Sequence, residues 1–317
     1  MLLSACMPTI DPAPPFRASP DLHLNQFTTR DGLILPVRIW QPQQTPPRAV
    51  IVALHGFNDY GKAFVRAGDY FSRHGLTLLA YDQRHFGLSP RPGRWAGMPV
   101  YVQDLIDFMA GVRQHYPGIP LYLLGESMGG AIATVTMTRP GAPCIDGLIL
   151  VAPAVWARHT MPWYQRGLLS LFSTTVPWLK LTGKGLKRRP SDNVEVLRGL
   201  SEDPWVIKAT RVDALSGLAD LMDAALVSGG GLRDQRVLLL YGERDEIIPW
   251  PPVRQFMADI RDSTTVQILI YPEGYHLLLR DLGAERPLAD IVRWVEGQGW
   301  QAPSRAETTG GCSSALQ

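Results

Sequence analysis

The chain is poor in cysteine, nearly balanced in charge and without a long apolar run, and each shortage removes a class of protein. Its three cysteines, Cys6, Cys144 and Cys312, are far apart and odd in number, so neither a disulfide framework nor a metal-ligand spacing is written into it. The fold is therefore expected to hold by burial alone, with no metal and no cofactor. The net charge is only +2, too little for the electrostatic footprint of a nucleic-acid-binding protein. No stretch reaches the roughly 18 apolar residues of a membrane-spanning helix; the longest candidate, GLILVAPAVWA at 147–157, is short and carries a proline.

What is present is ordinary globular composition. With 45% hydrophobic and 19% charged residues over 317 positions, the chain can bury one large α/β domain with an insertion, or two smaller domains. The N-terminus raises a separate question, because Leu3-Ser4-Ala5-Cys6 has the pattern at which bacterial lipoprotein precursors are cut and acylated on the cysteine. No basic n-region or apolar h-region precedes it within these residues. A start upstream of Met1 would leave room for both, and the proline-rich PTIDPAPPFRASP would then be a tether. Two readings result: a lipid anchor at Cys6 in the cell envelope, or a frayed N-terminus on a cytoplasmic protein.

Residues 1–22 and 302–317 are low in apolar content and are read as disordered ends. Between them, the runs RAVIVALHG, TLLAYD, LYLLGES, GLILVAP, RVLLLYGERD and VQILIYPEG alternate with helical patterns. Uninterrupted apolar runs fit strands buried on both faces, as in a parallel sheet covered by helices. MPVYVQDLIDFMAGVRQHYPG at 98–118 has helical spacing and a Pro-Gly stop, and LILPVRIWQP fits an antiparallel lead-in strand. The pattern predicts a mostly parallel, doubly wound α/β sheet. One interval, 153–234, shows no convincing strand and is far longer than an ordinary connection, so it reads as a helical insertion between core segments 23–152 and 235–301.

Within LYLLGES, Ser127 is bracketed by Gly125 and Gly129 at the point where a strand becomes a helix. Such a turn strains the backbone of its central residue, and flanking glycines remove the Cβ atoms that would clash. The hydroxyl is pushed into the open beside the unpaired N–H groups of a helix start, where charge on a carbonyl oxygen is stabilised. Gly-x-Ser-x-Gly alone is weak; the strand–turn–helix context gives it meaning.

Serine needs a base, and the base an orienting acid. Of the seven histidines, His276 follows the last strand run, where a loop can reach the serine; His23, His55, His74, His85, His115 and His159 lie in other contexts. For the acid, Glu243, Asp245 and Glu246 close a strand, and Asp245 is selected because it lies beyond the turn. The order Ser127, Asp245, His276 is that of the α/β-hydrolase template. A second N–H donor, beside that of Met128, is expected from Phe57, just after His55-Gly56 at the end of the first buried strand.

Together LHGFND, YDQRHFGLSP, GESMGG, GERDEIIP and YPEGYHLLLRD resemble the monoacylglycerol lipase and lysophospholipase branch of the α/β-hydrolase superfamily, also labelled serine aminopeptidase-like. The resemblance spans about residues 25–297. It implies an α/β-hydrolase fold with a lid insertion, and hydrolysis of carboxylic esters through an acyl-serine. Ser127 would be the nucleophile, His276 the base and then acid, Asp245 its partner, and Phe57 and Met128 the oxyanion hole. One position departs from that pattern: family members usually carry glycine where DQRHFG has His85.

In the insertion, Trp156, Trp163 and Trp178 are candidate substrate-binding residues, lining an acyl tunnel or meeting a lipid surface, with plain core as the alternative. KGLKRR at 184–189 fits a solvated loop better than a site for anionic head groups. The expected partner is a small-molecule acyl ester or lipid, with peripheral or lipid-anchored membrane contact and no nucleic acid. Rival readings are a peptidase or amidase on the same triad, a small-ester esterase, and a non-catalytic homologue that keeps the fold as a ligand pocket. Haloalkane dehalogenases and epoxide hydrolases resemble this fold but carry aspartate in the turn, so serine argues against both.

Overall fold

The computed structural model describes residues 15–297 except 24, 44–45, 184, 186–187 and 262–264. Cys6, the segment 1–14, Lys184, Lys187 and the tail 302–317 lie outside these residues. In chain order the strands and helices are β1 (Asp21–His23), β2 (Gln26–Thr28), β3 (Ile34–Trp40), β4 (Ala49–Leu54), α1 (Val65–Arg73), β5 (Leu76–Tyr81), α2 (Met98–His115), β6 (Leu121–Glu126), α3 (Met128–Met137) and β7 (Gly147–Val151). Next come α4 (Trp163–Thr175), β8 (Lys180–Thr182), α5 (Val194–Glu202), β9 (Ala209–Arg211), α6 (Val212–Ser228), β10 (Val237–Gly242), α7 (Trp250–Arg261), β11 (Val266–Tyr271) and α8 (Glu285–Val295).

Nine strands form one sheet in the order β1-β2-β3-β5-β4-β6-β7-β10-β11. From β5 to β11 every neighbouring pair is parallel, while β1, β2 and β3 pair antiparallel and β3 joins antiparallel to β5. All six apolar runs are strands. Every residue of β4, β5, β6, β7 and β10 is buried, because separate apolar clusters cover the two faces of the sheet. β11 is the edge, and most of its residues are only partly buried.

Four features differ from the sequence expectation. Within 1–22, the N–H groups of Arg17 and Ala18 donate to the Arg30 carbonyl, and β1 comes next, because Leu22 is buried against α2 at Gly111. The insertion is not strandless: β8 and β9 pair antiparallel across the segment that carries α5. Nor is all of 153–234 an excursion, since α6 packs on α3 and places Ala219, Leu221, Ala225 and Leu226 in the main core. A helix joining parallel neighbours β7 and β10 must cover the sheet, so the excursion proper ends near β9. Cys144 is also disulfide-bonded, a tie the expectation of burial alone left out; the other two cysteines lie outside the described residues.

The loop after β5 is held by a buried ionic cluster. Arg84 donates to both Asp31 and Asp104; burial raises the Asp104 carboxyl to about 6 despite the guanidinium. The next residue, His85, has φ of 65°, the region that glycine enters at least cost. Its Nδ1 lies 3.0 Å from the Pro90 carbonyl, an anchoring contact that glycine would lack.

Candidate active site

The site grows from the end of β6. Ser127 sits between β6 and α3 with φ of 53° and ψ of −115°, a strained conformation that surrounding contacts must impose. Its N–H donates to the Val151 carbonyl at 3.0 Å, and its carbonyl accepts from Ala154 at 2.9 Å. The glycines explain how α3 starts so close to the sheet. A Cβ on Gly125 would lie 2.5 Å from the Gly129 carbonyl oxygen, and one on Gly129 only 2.1 Å from that of Leu54.

The structure brings Ser127, His276 and Asp245 into one hydrogen-bonded chain. Ser127 Oγ is 3.0 Å from His276 Nε2, and His276 Nδ1 is 2.7 Å from Asp245 Oδ2. The other carboxylate oxygen, Oδ1, accepts from the N–H groups of Ile247 at 2.7 Å and Ile248 at 3.0 Å. Asp245 is therefore fixed before the imidazole meets it. All three residues are buried. Burial lowers the imidazole's proton affinity, but the Asp245 charge and hydrogen bond outweigh it, and the net shift of His276 is upward.

Met128 follows Ser127 in the chain, and Phe57 follows Gly56, whose loop approaches the hydroxyl. The N–H groups of Phe57 and Met128 donate to no other group among the described residues. Gly56 brings its loop close, since a Cβ there would stand 3.8 Å from Ser127 Oγ. His55 has a structural place: its buried ring accepts from the Gln83 N–H at 2.9 Å through Nε2. Asn58, with φ of 65°, ties this loop to the insertion, its amide donating to Thr210 Oγ1 at 2.7 Å and its carbonyl accepting from Ile207 at 3.0 Å.

The insertion reaches the histidine loop as well. The Leu277 N–H donates to the Pro190 carbonyl at 2.8 Å, and Ser191 Oγ to Asp281 at 2.6 Å. Within the basic run, the Arg189 N–H donates to Glu246 at 2.7 Å and Arg188 to the Glu246 carbonyl, so this end is docked beside the Asp245 loop rather than merely solvated. The three candidate tryptophans separate. Trp156 is partly buried against the core with its indole N–H unpartnered among the described residues, whereas Trp163 and Trp178 are 78% and 53% exposed. No group of three or more metal-ligating side chains occurs among the described residues.

Residues near the site that the sequence did not single out are Asp59, Glu126 and Arg280. Arg280 Nη1 is 2.7 Å from Asp59 and Nη2 is 2.7 Å from Glu126. Glu126 and Arg280 stood inside the GESMGG and YHLLLRD blocks, but nothing in the sequence pairs them.

If His276 must be neutral to accept a proton, activity falls as pH drops through its raised pKa. The acid limb of a kcat/KM profile should then have its midpoint above 6.5, the ordinary imidazole value. A midpoint below that value would contradict the electrostatics of this site.

A family profile described as serine aminopeptidase, S33, matches residues 45–283. Human monoglyceride lipase is 33% identical over 271 residues, covering 82% of this chain and 85% of that one. The monoacylglycerol lipase of Mycolicibacterium smegmatis is 26% identical over 289 residues, covering 86% of this chain and 96% of that one. A solved structure of a soluble variant of monoglyceride lipase from Saccharomyces cerevisiae has a TM-score of 0.74 at 21% identity, over 90% of this chain and 99% of that one, and so shares the fold. The chain belongs to the serine aminopeptidase S33 family of α/β-hydrolases, in its monoacylglycerol lipase-like branch.

Proposed function

We propose that this serine ester hydrolase cleaves single-chain acyl esters of the monoacylglycerol or lysophospholipid type, with Ser127 as nucleophile. The observation that carries the reading is the Asp245–His276–Ser127 hydrogen-bonded chain; the Phe57 and Met128 N–H groups have no other acceptor among the described residues. Ser127 Oγ attacks the ester carbonyl as His276 Nε2 takes its proton, and Asp245 holds Nδ1–H and stabilises the imidazolium. The Phe57 and Met128 N–H groups receive the oxyanion. Collapse expels the alcohol, which takes the proton from His276 and leaves an acyl-serine. Water, deprotonated by the same imidazole, then releases the acid and restores the hydroxyl.

The lipid character of the substrate rests on α4 and on the segment between α4 and α5. Trp163, Tyr164, Leu168 and Leu171 are exposed on α4, as are Trp178, Leu179 and Leu181 beyond it. They are not packed core, and they leave an apolar face on the insertion. We read the insertion as a lid whose apolar face meets a lipid surface; no helix of the described residues is long and apolar enough to cross a membrane. The names of the human and mycobacterial relatives point to the same substrate class.

Ser127→Ala should lower kcat on acyl esters by at least about 10³-fold, with long-chain esters preferred over short in the wild type. Activity within tenfold of wild type would reject Ser127, and a faster rate on a matched amide than on the ester would favour a peptidase. Trp163→Ser with Trp178→Ser should weaken sedimentation with phospholipid vesicles and slow hydrolysis of micellar substrate, while a soluble short-chain ester is cleaved at the wild-type rate. Unchanged vesicle binding would remove the lipid-surface role.

A further inference from the structure

Under the site lies a buried ionic cluster that the reaction does not consume. Glu126 is the last residue of β6, immediately before Ser127, and is 1% exposed. Arg280 stands four residues after His276 and is 7% exposed. Asp59 is two residues past Phe57. The guanidinium spans the other two, with Nη1 at 2.7 Å from Asp59 Oδ2 and Nη2 at 2.7 Å from Glu126 Oε1. Asp59 is itself fixed, accepting from the Tyr60 N–H at 2.9 Å through Oδ1.

We propose that Arg280 is a positioning residue that clamps the three loops bearing Phe57, Ser127 and His276 into one register and balances the Glu126 charge beside the imidazole. The inference rests on Ser127, His276 and Asp245 acting as the triad. Its geometry is specific: one rigid planar fork makes a charge-assisted bond into each of two loops and belongs by its own backbone to the third. A displacement of about 1 Å among reacting groups can cost about 10²-fold in rate, so fixing three loops together has a direct catalytic consequence.

Stability alone accounts poorly for the cluster. Glu126 Oε2 and Arg280 Nε are buried without a hydrogen-bond partner among the described residues, and a partly satisfied buried ionic network is inferior to well-packed apolar residues. The charge balance is unequal as well, two carboxylates facing one guanidinium. The charged groups acting on His276 are Asp245 from the loop after β10, Glu126 from β6 and Arg280 from its own loop. Glu126 favours the imidazolium and Arg280 opposes it. Removing one of the pair therefore exposes the other's field at the catalytic base.

The test compares wild type, Arg280→Lys, Arg280→Met and Glu126→Gln in the full chain on a soluble short-chain ester, across pH. Arg280→Met should lower kcat about 10- to 100-fold with KM changed less than about threefold, and move the acid limb of kcat/KM to higher pH because the Glu126 charge is left unbalanced. Glu126→Gln should move that limb to lower pH. Arg280→Lys should keep the wild-type midpoint but not the wild-type kcat, since a point charge cannot grip both carboxylates in the same fork geometry. If Arg280→Met fails to fold, Arg280→Lys and Glu126→Gln decide the question. Folded variants with wild-type kcat and an unmoved acid limb would overturn the clamp. A fluorophosphonate probe keeps the two readings apart: failure to label Ser127 in the wild type rejects the triad, whereas labelling with unaltered kinetics in the variants rejects only the role of Arg280.

Discussion

The site depends on how closely the start of α3 approaches β4 and β6. With 2.1 Å between an added Cβ on Gly129 and the Leu54 carbonyl oxygen, no side chain fits there without moving the backbone. That closeness forces the link between β6 and α3 into a single residue, Ser127, at φ of 53°. The strain, of order 1–3 kcal/mol, is held by the hydrogen bonds to Val151 and Ala154. The placement of the Ser127 hydroxyl against His276, the Met128 N–H without an acceptor among the described residues and the approach of the Gly56 loop all derive from it. Looser packing at Gly129 would dissolve all three together.

Around this turn the rest of the fold supplies fixed charge. Asp245 is held by two backbone N–H groups and faces the imidazole in a buried setting, so its carboxylate is fixed by the backbone as well as by His276. The excursion between β7 and α6 is bonded to both sides of the site, through Asn58 on the loop after β4 and through Leu277 and Asp281 on the histidine loop. The insertion is thus tied by hydrogen bonds to the loop after β4 and to the loop carrying His276.

Much of this was readable from the chain, for physical reasons. Strands buried on both faces leave unbroken apolar runs, so β4, β5, β6, β7 and β10 stood out. The glycines around Ser127 and the order of Ser127, Asp245 and His276 stood out for the same kind of reason, because close backbone approach admits one residue type. Less legible were features set by tertiary contact. The β8–β9 pair is three residues on each side and exposed along β8, too short for any period to show. α6 looked like part of the insertion because helical spacing does not say which sheet a helix covers. The exposure of Trp163 and Trp178 is invisible to composition, and the Asp59–Arg280–Glu126 cluster joins residues up to 221 positions apart. His85 was legible as an oddity, and its positive φ supplies the reason glycine is usual there.

The most direct measurement is mass spectrometry of protein quenched in acid during turnover of a long-chain monoacyl ester. The account predicts a mass gain of one acyl group, located on the peptide containing Ser127, that appears during turnover and disappears once substrate is exhausted. Turnover without any adduct on that peptide, or with the acyl group on another residue, would contradict it.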